Sequence, residues 1–296
     1  MEVNKKNKRG SKAFTLIELL LVISVIALIA AIVFNSLRGA REGARISNAL
    51  SFERSMHSLL GPDLVGQWNF DNEPVTNQFR DLSGGGNTGT CTAPGCPVPV
   101  DGVPGTRGTA LSFDGVNDLV SIPHSEPLNS QVFGTSDRFT ISAWAHPISW
   151  VNHATIINKA NEGWWSNTTN GLWASNQAGF SCAMGANVVD NPAGSFIRVD
   201  FRPSLNNWHQ IVCSADGVTL RMFVNGRLVG SVGIAGLTHT RTSNNASIAI
   251  GRTCVGCGPI FNGLIDDVRL YSRALTASEI QTLYAQTKDK YLVEEK

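Results

Sequence analysis

Residues 208–232, WHQIVCSADGVTLRMFVNGRLVGSV, carry the clearest structural signal in this chain. Three runs of alternating apolar and polar residues are separated here by Asp216-Gly217 and Asn225-Gly226. Both dipeptides accept the positive φ angles of a tight turn, so between alternating runs they are the strongest short-range indication of a β-hairpin. We therefore predict three consecutive antiparallel strands, at residues 208–215, 219–224 and 227–232.

The same alternation extends to both sides of this segment. Further strands are predicted at residues 64–71, 109–113, 119–122, 139–145, 154–158, 179–185, 196–201, 247–251 and 264–271. A short helix is predicted at residues 276–284, because Thr276 and Glu279 have the spacing of a capping box. Many antiparallel strands without a long helix among them predict a mainly β domain with two sheets packed as a sandwich.

The composition agrees with a folded protein that does not bind nucleic acid. Hydrophobic residues make up 42% of the 296 residues, which excludes a largely disordered chain. The formal net charge is +1, whereas nucleic-acid binding needs a basic excess or a basic stripe. The length fits one large β domain with an additional segment.

The N-terminus has the pattern of a membrane anchor. Residues 1–13 contain five basic residues against Glu2, and residues 14–34 are mainly apolar with one charged residue, Glu18. A helix of 21 residues extends about 32 Å and can cross a hydrocarbon core of about 30 Å. The basic residues predict a cytoplasmic N-terminus and an exported C-terminal head, on a single-pass protein of the inner (cytoplasmic) membrane. An ordinary anchor and a cleaved secretory signal are the alternatives.

Glu18 is unusual because a charged residue inside a span costs about 2.5–3.5 kcal/mol on insertion scales. Residues 13–18, AFTLIE, resemble the processing motif of type IV pilins and type II secretion pseudopilins, although Ala13 stands where that family usually has Gly. The resemblance implies that a prepilin peptidase cleaves before Phe14, whose new amino group is methylated, and that Glu18 aligns neighbouring pilin-like subunits. Residues 1–13 would then be a leader and residues 14–61 a long helix that begins in the membrane.

The exported part of the chain carries a second resemblance. The segments ALSFDGVND, FTISAW, FVNG and FNGLIDDVRLYSRAL are similar, in the same order, to the laminin-G-like jelly roll of the concanavalin A-like lectin/glucanase superfamily. The resemblance implies a jelly-roll domain at residues 62–287, followed by a charged tail at 288–296. This fold occurs in lectins, hydrolases and adhesion spacers, so it does not by itself establish a function.

The acidic residues of the domain lack the pairing that glycosidase catalysis requires. Glycosidases of this type need two carboxylates that flank the scissile bond. The domain contains Glu73, Glu126, Glu162 and Glu279, and none belongs to a paired acidic pattern on a predicted core strand. Asp266-Asp267 would point to opposite faces of one strand. We therefore expect a non-catalytic protein, with a tethered glycosidase as the least favoured alternative.

A carbohydrate site is predicted in a polar turn. Trp164 and Trp165 are adjacent there, and two neighbouring indoles are difficult to bury together, so they could form a sugar platform with Asn167 and Asn170. The alternative is that one indole caps the core and the other contacts a loop. These residues favour a surface-displayed adhesion subunit that binds carbohydrate, alone in the membrane or in a filament. The second interpretation is a spacer or protein-adhesion head without a glycan site.

The jelly-roll resemblance also implies one structural Ca²⁺ near the paired terminal strands. Calcium takes carboxylate and carbonyl oxygens from separate segments. Asp71 and Asp267 are the favoured ligands, with Asp266 as a further candidate. The alternative is that these carboxylates cap turns or pair with Arg269.

Six cysteines lie on the exported side, where an even number indicates disulfides. We predict Cys91–Cys96 and Cys254–Cys257 as loop cross-links, and Cys182–Cys213 as a bridge between neighbouring strands. A zinc site and a redox-active pair at Cys254 and Cys257 are the alternatives.

Overall fold

The computed structural model describes residues 16–17, 19–30, 60–71, 77–101, 108–133, 136–151, 154–159, 170–185, 196–236, 245–254 and 257–292. The chain divides into two compact units, Met1–Ser58 and Leu59–Lys296. In the first unit, residues 19–30 form helix α1 with exposed side chains. Within the described ranges, no helix has both the length and the apolar character needed to cross a membrane. The predicted processing residues Ala13, Phe14 and Glu18 lie outside the described residues.

The second unit is built from strands. Its described residues form eighteen strands, in chain order β1 Leu64–Trp68, β2 Gln78–Phe79, β3 Gly89–Thr90, β4 Val98–Asp101, β5 Thr109–Asp114, β6 Val120–Ile122, β7 Arg138–Pro147, β8 Ala154–Lys159, β9 Gly171–Ser175, β10 Gly179–Gly185, β11 Phe196–Phe201, β12 His209–Asp216, β13 Thr219–Val224, β14 Arg227–Gly233, β15 Ile248–Ile250, β16 Arg252–Cys254, β17 Cys257–Ile260 and β18 Asn262–Tyr271. Helix α2 spans Glu126–Leu128 and continues into a π-helical turn, Asn129–Phe133. Helix α3 spans Ala277–Thr287 and is followed by a 3₁₀ turn, Lys288–Lys290.

The strands form two large antiparallel sheets. The first sheet has the order β14-β13-β12-β7-β18-β5-β4, with β1 also paired to β18, and the second has the order β11-β10-β9-β8-β15-β6-β3-β2. Strands β16 and β17 form a separate hairpin. The predicted mainly β architecture, a two-sheet antiparallel jelly-roll sandwich, is confirmed.

The two predicted hairpins of residues 208–232 are present as β12–β13 and β13–β14. Asn225 and Gly226 adopt φ angles of 52° and 73°, the left-handed values that a type I′ turn requires. The Gln210 backbone N–H donates to Oδ1 of Asn225 at 2.9 Å, which ties this turn to the neighbouring strand. The capping box is also present, with mutual hydrogen bonds between Thr276 and Glu279.

The core lies between the two sheets and is mainly apolar. It includes Phe139, Ile141, Ala143, Ile211 and Leu220 from the first sheet and Ile122, Ile157, Leu172, Phe180 and Ile250 from the second. Side chains that alternate with these residues point away from the core. We call the two surfaces they form the outer face of the first sheet and the outer face of the second sheet.

The disulfide Cys182–Cys213 is confirmed as a pair, but its predicted placement between neighbouring strands is wrong. Cys182 lies on β10 of the second sheet and Cys213 on β12 of the first, with their Cα atoms 5.2 Å apart. The sheets therefore converge at this side of the sandwich. Gly230 of β14 shows the same convergence, because a Cβ there would lie 2.5 Å from Cγ1 of Val199 on β11.

The disulfide Cys91–Cys96 is also confirmed. The backbones of Cys254 and Cys257 pair across the β16–β17 hairpin, but their side chains lie outside the described residues. The third predicted disulfide therefore stays a prediction.

Several short strands were not predicted. Strands β2, β3 and β9 are too short to show a clear alternation, and β4 contains Pro99, which lacks a backbone donor. Strand β1 ends at Trp68, three residues before its predicted end, because Phe70 adopts a φ of 54° and Asp71 lies in a turn.

Candidate functional site

Two of the predicted calcium ligands meet a lysine instead. The first and last strands, β1 and β18, run side by side and bring Asp71 close to Asp266. Lys290 Nζ lies 2.8 Å from Oδ2 of Asp266 and 3.1 Å from each carboxylate oxygen of Asp71. Tyr291 donates its hydroxyl hydrogen to Oδ2 of Asp266 at 2.8 Å. An ammonium group therefore lies between the two carboxylates, where a structural cation would be expected.

Asp267 does not join this cluster. A bulge in β18 begins at Asp266, and Asp267 adopts a φ of 46°. Its carboxylate accepts a hydrogen bond from Nε of Arg269 at 2.8 Å. Among the described residues, no group of three His, Cys, Asp or Glu side chains could hold a metal ion. The donor set around Asp71, Asp266 and Asp267 does not fit Ca²⁺, because Lys290 and Arg269 already neutralise it.

The charges of this cluster follow from burial and proximity. Burial raises the pKa of Asp266 to about 7, against the opposing effect of Lys290. Burial alone would lower the pKa of Lys290, but attraction to Asp266 and Asp71 raises it above its ordinary value. Lys290 therefore stays charged and is the cation that pairs with Asp71 and Asp266 beside the terminal strands.

The segment that carries Lys290 covers the outer face of the first sheet. The ring of Tyr291 stacks on Trp144 with centroids 4.1 Å apart and approaches Trp208 to 4.8 Å. The indole N–H of Trp144 donates to Oγ1 of Thr287 at 3.0 Å, and Tyr284 stacks on the same indole. The prediction of a charged tail from residue 288 is corrected here, because Lys290 and Tyr291 belong to the packed domain.

The outer face of the second sheet is different and carries a row of small residues. Ser121, Ala249, Asn158, Gly171 and Ala183 are successive partners across β6, β15, β8, β9 and β10. Their neighbours along each strand belong to the core, so this row points away from it.

Trp173 occupies the same face, one position along β9. It is paired with Thr155 of β8 and Ser181 of β10. A Cβ on Gly171 would lie 3.2 Å from Cη2 of Trp173 and 2.9 Å from Cβ of Asn158. The indole therefore extends over Gly171 towards Asn158, in space that any other residue at position 171 would fill.

Asn158 is a buried polar group of this face. It is 0% exposed, and within the part of the chain that the structure describes neither Oδ1 nor Nδ2 of its side chain has a hydrogen-bond partner. An unsatisfied buried polar group costs about 1–3 kcal/mol, so its retention calls for an explanation. A flat indole beside an amide with unused donor and acceptor capacity has the chemistry that recognises a sugar ring and its hydroxyl groups, although the amide is closed to solvent in this structure.

One edge of this face is charged. Ser181 donates its hydroxyl hydrogen to Oδ1 of Asp200 on β11 at 2.6 Å, and Arg198 Nε lies 3.0 Å from Oδ2 of Asp200. Of the described residues that strand pairing places on this face, Asp200 is the acidic one. Glycoside hydrolysis needs a pair of carboxylates.

The predicted sugar platform lies partly outside the description. Trp164, Trp165 and Asn167 belong to the undescribed segment that connects β8 to β9, the strands that carry Asn158 and Trp173. Asn170 is fully buried, and its Nδ2 donates to the carbonyl of Val132 at 2.5 Å. The structure thus places Asn170 in the interior beside the π-helical turn, not at an exposed platform.

Trp173 and Asn158 were missed in the sequence. The pattern Leu172-Trp173-Ala174 does show alternation, and its apolar partners Leu172 and Ala174 lie in the core. A tryptophan between two apolar residues was the available signal, but a strand of five residues is too short to show a clear alternation.

A family model described as the concanavalin A-like lectin/glucanases superfamily matches residues 114–281, more than half of the chain. The chain belongs to this superfamily. A second model, the prokaryotic N-terminal methylation motif, matches residues 8–34 and confirms the predicted motif. A search of curated proteins gives no match.

Solved structures share the fold of the lectin-like domain. The binding domain of Paraclostridial Mosquitocidal Protein 1 is 17% identical, with a TM-score of 0.57 over 76% of this chain and 52% of that one. The receptor binding domain of botulinum neurotoxin D is 14% identical, with a TM-score of 0.57 over 76% of this chain and 53% of that one. The chain thus spans about half the length of these toxin domains.

An arabinanase domain also shares the fold. Domain 4 of AbnA, a GH43 extracellular arabinanase from Geobacillus stearothermophilus solved with arabinotriose, is 22% identical, with a TM-score of 0.51 over 75% of this chain and 98% of that one. The jelly roll therefore occurs in binding domains and in domains of glycosidases.

Proposed function

We propose that this protein is a membrane-anchored, pilin-like subunit whose lectin-like head binds carbohydrate without cleaving it. The observation that carries the proposal is the buried amide of Asn158, which has no partner and lies beside the indole of Trp173. Because the amide is 0% exposed, a hydroxyl-rich ligand reaches it only when the residues that cover it move, and the ligand would then satisfy both halves of the amide and place a sugar ring on the indole. The fully satisfied acidic cluster of the first sheet offers no such capacity.

The similar structures support this ligand class. The arabinanase domain was solved with arabinotriose, and one further fold relative is described by the dependence of botulinum neurotoxin type C on two ganglioside molecules for cell entry. Both names refer to saccharide-bearing ligands of those proteins. The connection from β8 to β9, with Trp164, Trp165 and Asn167, would extend the same platform.

The N-terminal motif supports display at the cell surface. After cleavage before Phe14, the free amino group of one subunit could neutralise Glu18 of its neighbour, which offsets the cost of burying an unpaired carboxylate. The head would then be held outside the cytoplasmic membrane, in a filament or as a single anchored subunit.

A glycan-array screen of the detergent-solubilised protein tests the binding proposal. We expect Trp173→Ala and Asn158→Ala each to lower affinity for the recognised glycan about tenfold or more, as loss of a central contact residue does. Val116→Ala, an exposed residue in the turn between β5 and β6, is the control. Binding that is indifferent to both substitutions, or no binding to any glycan, would favour the spacer interpretation.

Mass spectrometry of the mature N-terminus tests the pilin-like processing separately. We expect a chain that begins at a methylated Phe14. An intact Met1, or cleavage at another position, would contradict that part of the proposal and leave the binding test unaffected.

A further inference from the structure

Lys159 is a buried amine that the proposed function does not use. It is the last residue of β8, and its strand partner is Ile248 of the core. Its side chain is 1% exposed. Nζ of Lys159 lies 2.7 Å from Oδ1 of Asn129, the first residue of the π-helical turn, which is itself 3% exposed. An amine and a primary amide are therefore held in contact away from bulk water.

His124 and Glu126 complete a chain of polar groups that ends at this amine. Nδ1 of His124 lies 3.0 Å from Nζ of Lys159, and Nε2 of His124 lies 3.1 Å from Oε1 of Glu126. In the tautomer that fits both contacts, the ring donates from Nε2 to Glu126 and accepts from Lys159 at Nδ1. This is the order nucleophile, base and orienting group that is found where a neighbouring base activates a side-chain nucleophile, and here the orienting group is a carboxylate.

The surroundings favour the reactive form of the amine. Burial lowers the pKa of Lys159 from 10.5 to about 8, although the negative charge of Glu126 acts in the opposite direction. A larger fraction of neutral amine is then present at neutral pH than for an exposed lysine. The contact with Oδ1 also holds Nζ close to Cγ of Asn129, as a near-attack arrangement requires.

We propose that Lys159 and Asn129 form an intramolecular isopeptide bond. Nζ of Lys159 attacks Cγ of Asn129, and His124 accepts a proton from Nζ as the new C–N bond forms. The tetrahedral intermediate collapses, the bond between Cγ and Nδ2 breaks, and His124 returns the proton to the departing nitrogen. One amine and one primary amide thus become one secondary amide and one ammonia, with no oxidant, reductant or further reactant.

The bond would fix the connection between the two sheets to β8. Asn129 lies between β6 of the second sheet and β7 of the first, whereas Lys159 ends β8 of the second. The disulfide Cys182–Cys213 links β10 to β12, and the isopeptide would hold the β6–β7 connection in place without depending on redox conditions. This inference is independent of the carbohydrate proposal, because neither residue lies on the outer face of the second sheet.

Peptide mapping of the reduced and denatured full-length protein tests the bond directly. Trypsin would not cleave after an acylated Lys159, so the expected product is a branched peptide that joins residues 108–138 to residues 139–198. Its mass equals the sum of the two linear segments minus one ammonia. Quantitative recovery of linear 108–138 and 139–159 from the wild-type protein would overturn the proposal, whatever any variant does.

Variants assign the roles. Lys159→Met and Asn129→Ala should lose the branched peptide, and Lys288→Met should retain it. Asn129→Asp should give the same branched peptide, because water then leaves in place of ammonia. His124→Gln should slow its formation about 100-fold or more, the usual contribution of a general base; formation at the wild-type rate would remove His124 from the reaction.

Glu126 is a positioning residue, and its role has its own readout. Glu126→Ala should slow cross-linking, whereas Glu126→Gln, which can still accept from Nε2 of His124, should restore the rate. Equal rates in the wild type and in Glu126→Ala would show that the carboxylate does not orient the ring.

Discussion

The outer faces of the two sheets have the same antiparallel backbone but differ in how their buried polar groups are satisfied. On the first sheet, α3 and the following turn lie over Trp144, and Lys290 and Tyr291 partner the carboxylate of Asp266. On the second sheet, Asn158 is equally buried, yet neither atom of its amide has a partner among the described residues. The carboxylate of Asp266 is therefore satisfied, whereas the amide of Asn158 retains unused hydrogen-bonding capacity.

The comparison teaches that satisfaction of polar groups, more than burial, separates a structural cluster from a candidate binding site. A buried group with partners stabilises the fold, whereas one without them lowers stability. Gln210 on the first sheet shows an intermediate case. Its Oε1 has no partner, but its Nε2 donates to Oγ1 of Thr287.

The largest expected effect on stability comes from removing the charge of Lys290 beside the outer face of the first sheet. Lys290→Met removes the cation and leaves Asp266 buried beside no opposite charge, which should lower the free energy of unfolding by about 3–5 kcal/mol. Urea unfolding above pH 7 measures the loss. Lys288→Met, in the same turn, should cost less than about 0.5 kcal/mol. Equal losses in the two variants would show that Lys290 is not the cation of this cluster.

The pH dependence of stability should report on the same carboxylate. Burial raises the pKa of Asp266 from 3.8 to about 7, so in this interval the folded protein holds a proton that the unfolded chain has released. Stability from this group is therefore complete below its unfolded pKa and is lost as the pH rises, with a slope approaching about 1.4 kcal/mol per pH unit. In Asp266→Asn, the midpoint temperature of thermal unfolding should depend less on pH across this interval. Parallel pH curves for the two proteins would contradict the expectation.

A smaller effect is expected from Tyr291→Phe. The ring can still stack on Trp144 at 4.1 Å, but the hydrogen bond to Asp266 is lost. A hydrogen bond to a charged partner contributes about 1.5–3 kcal/mol, and this is the destabilisation expected in denaturant unfolding above pH 7, where Asp266 is ionised. Tyr284→Phe is the control, since that ring also stacks on Trp144. A Tyr291→Phe protein as stable as the control would mean that the hydroxyl has no energetic role.

The smallest effect on stability should come from Asn158 on the outer face of the second sheet, and a matched asparagine provides the comparison. Asn87 donates to Asp81 and accepts from Ser125, both at 2.9 Å, so Asn87→Ala should cost about 1–3 kcal/mol. Asn158→Ala should cost less than about 1 kcal/mol, because no hydrogen bond is lost. Thermal unfolding of both variants makes the comparison. A large loss for Asn158→Ala would remove the distinction between the two faces.

The sequence predicts most of the β architecture because its signals are local. Asn225-Gly226 specifies a tight turn through its own backbone preferences, and Thr276 caps its helix through residues three positions away. Short strands escaped prediction for the same reason. The five residues of β9 are too few to show a pattern, although they place Trp173 beside Asn158.

The candidate site could not be derived in this way. Alternation separates the two faces of a strand but does not tell which residues of other strands lie beside them. Trp164 and Trp165 are recognisable in the sequence because they are adjacent. The neighbours of Trp173, in contrast, are set by the pairing of β8, β9 and β10. The pair Cys182–Cys213 was predicted correctly while its location was wrong, because sheet membership depends on the order of distant strands.

From residue order alone, the chain specifies an N-terminal methylation motif, a series of antiparallel hairpins and the disulfide Cys91–Cys96, because each depends on short patterns or on small separations. Tertiary structure decided which charges and amides meet. Lys290 reaches Asp71 across 219 residues, and Lys159 at the end of β8 reaches Asn129 in the connection between β6 and β7. Such contacts arise only when the sandwich closes, since packing brings together groups that the sequence keeps apart.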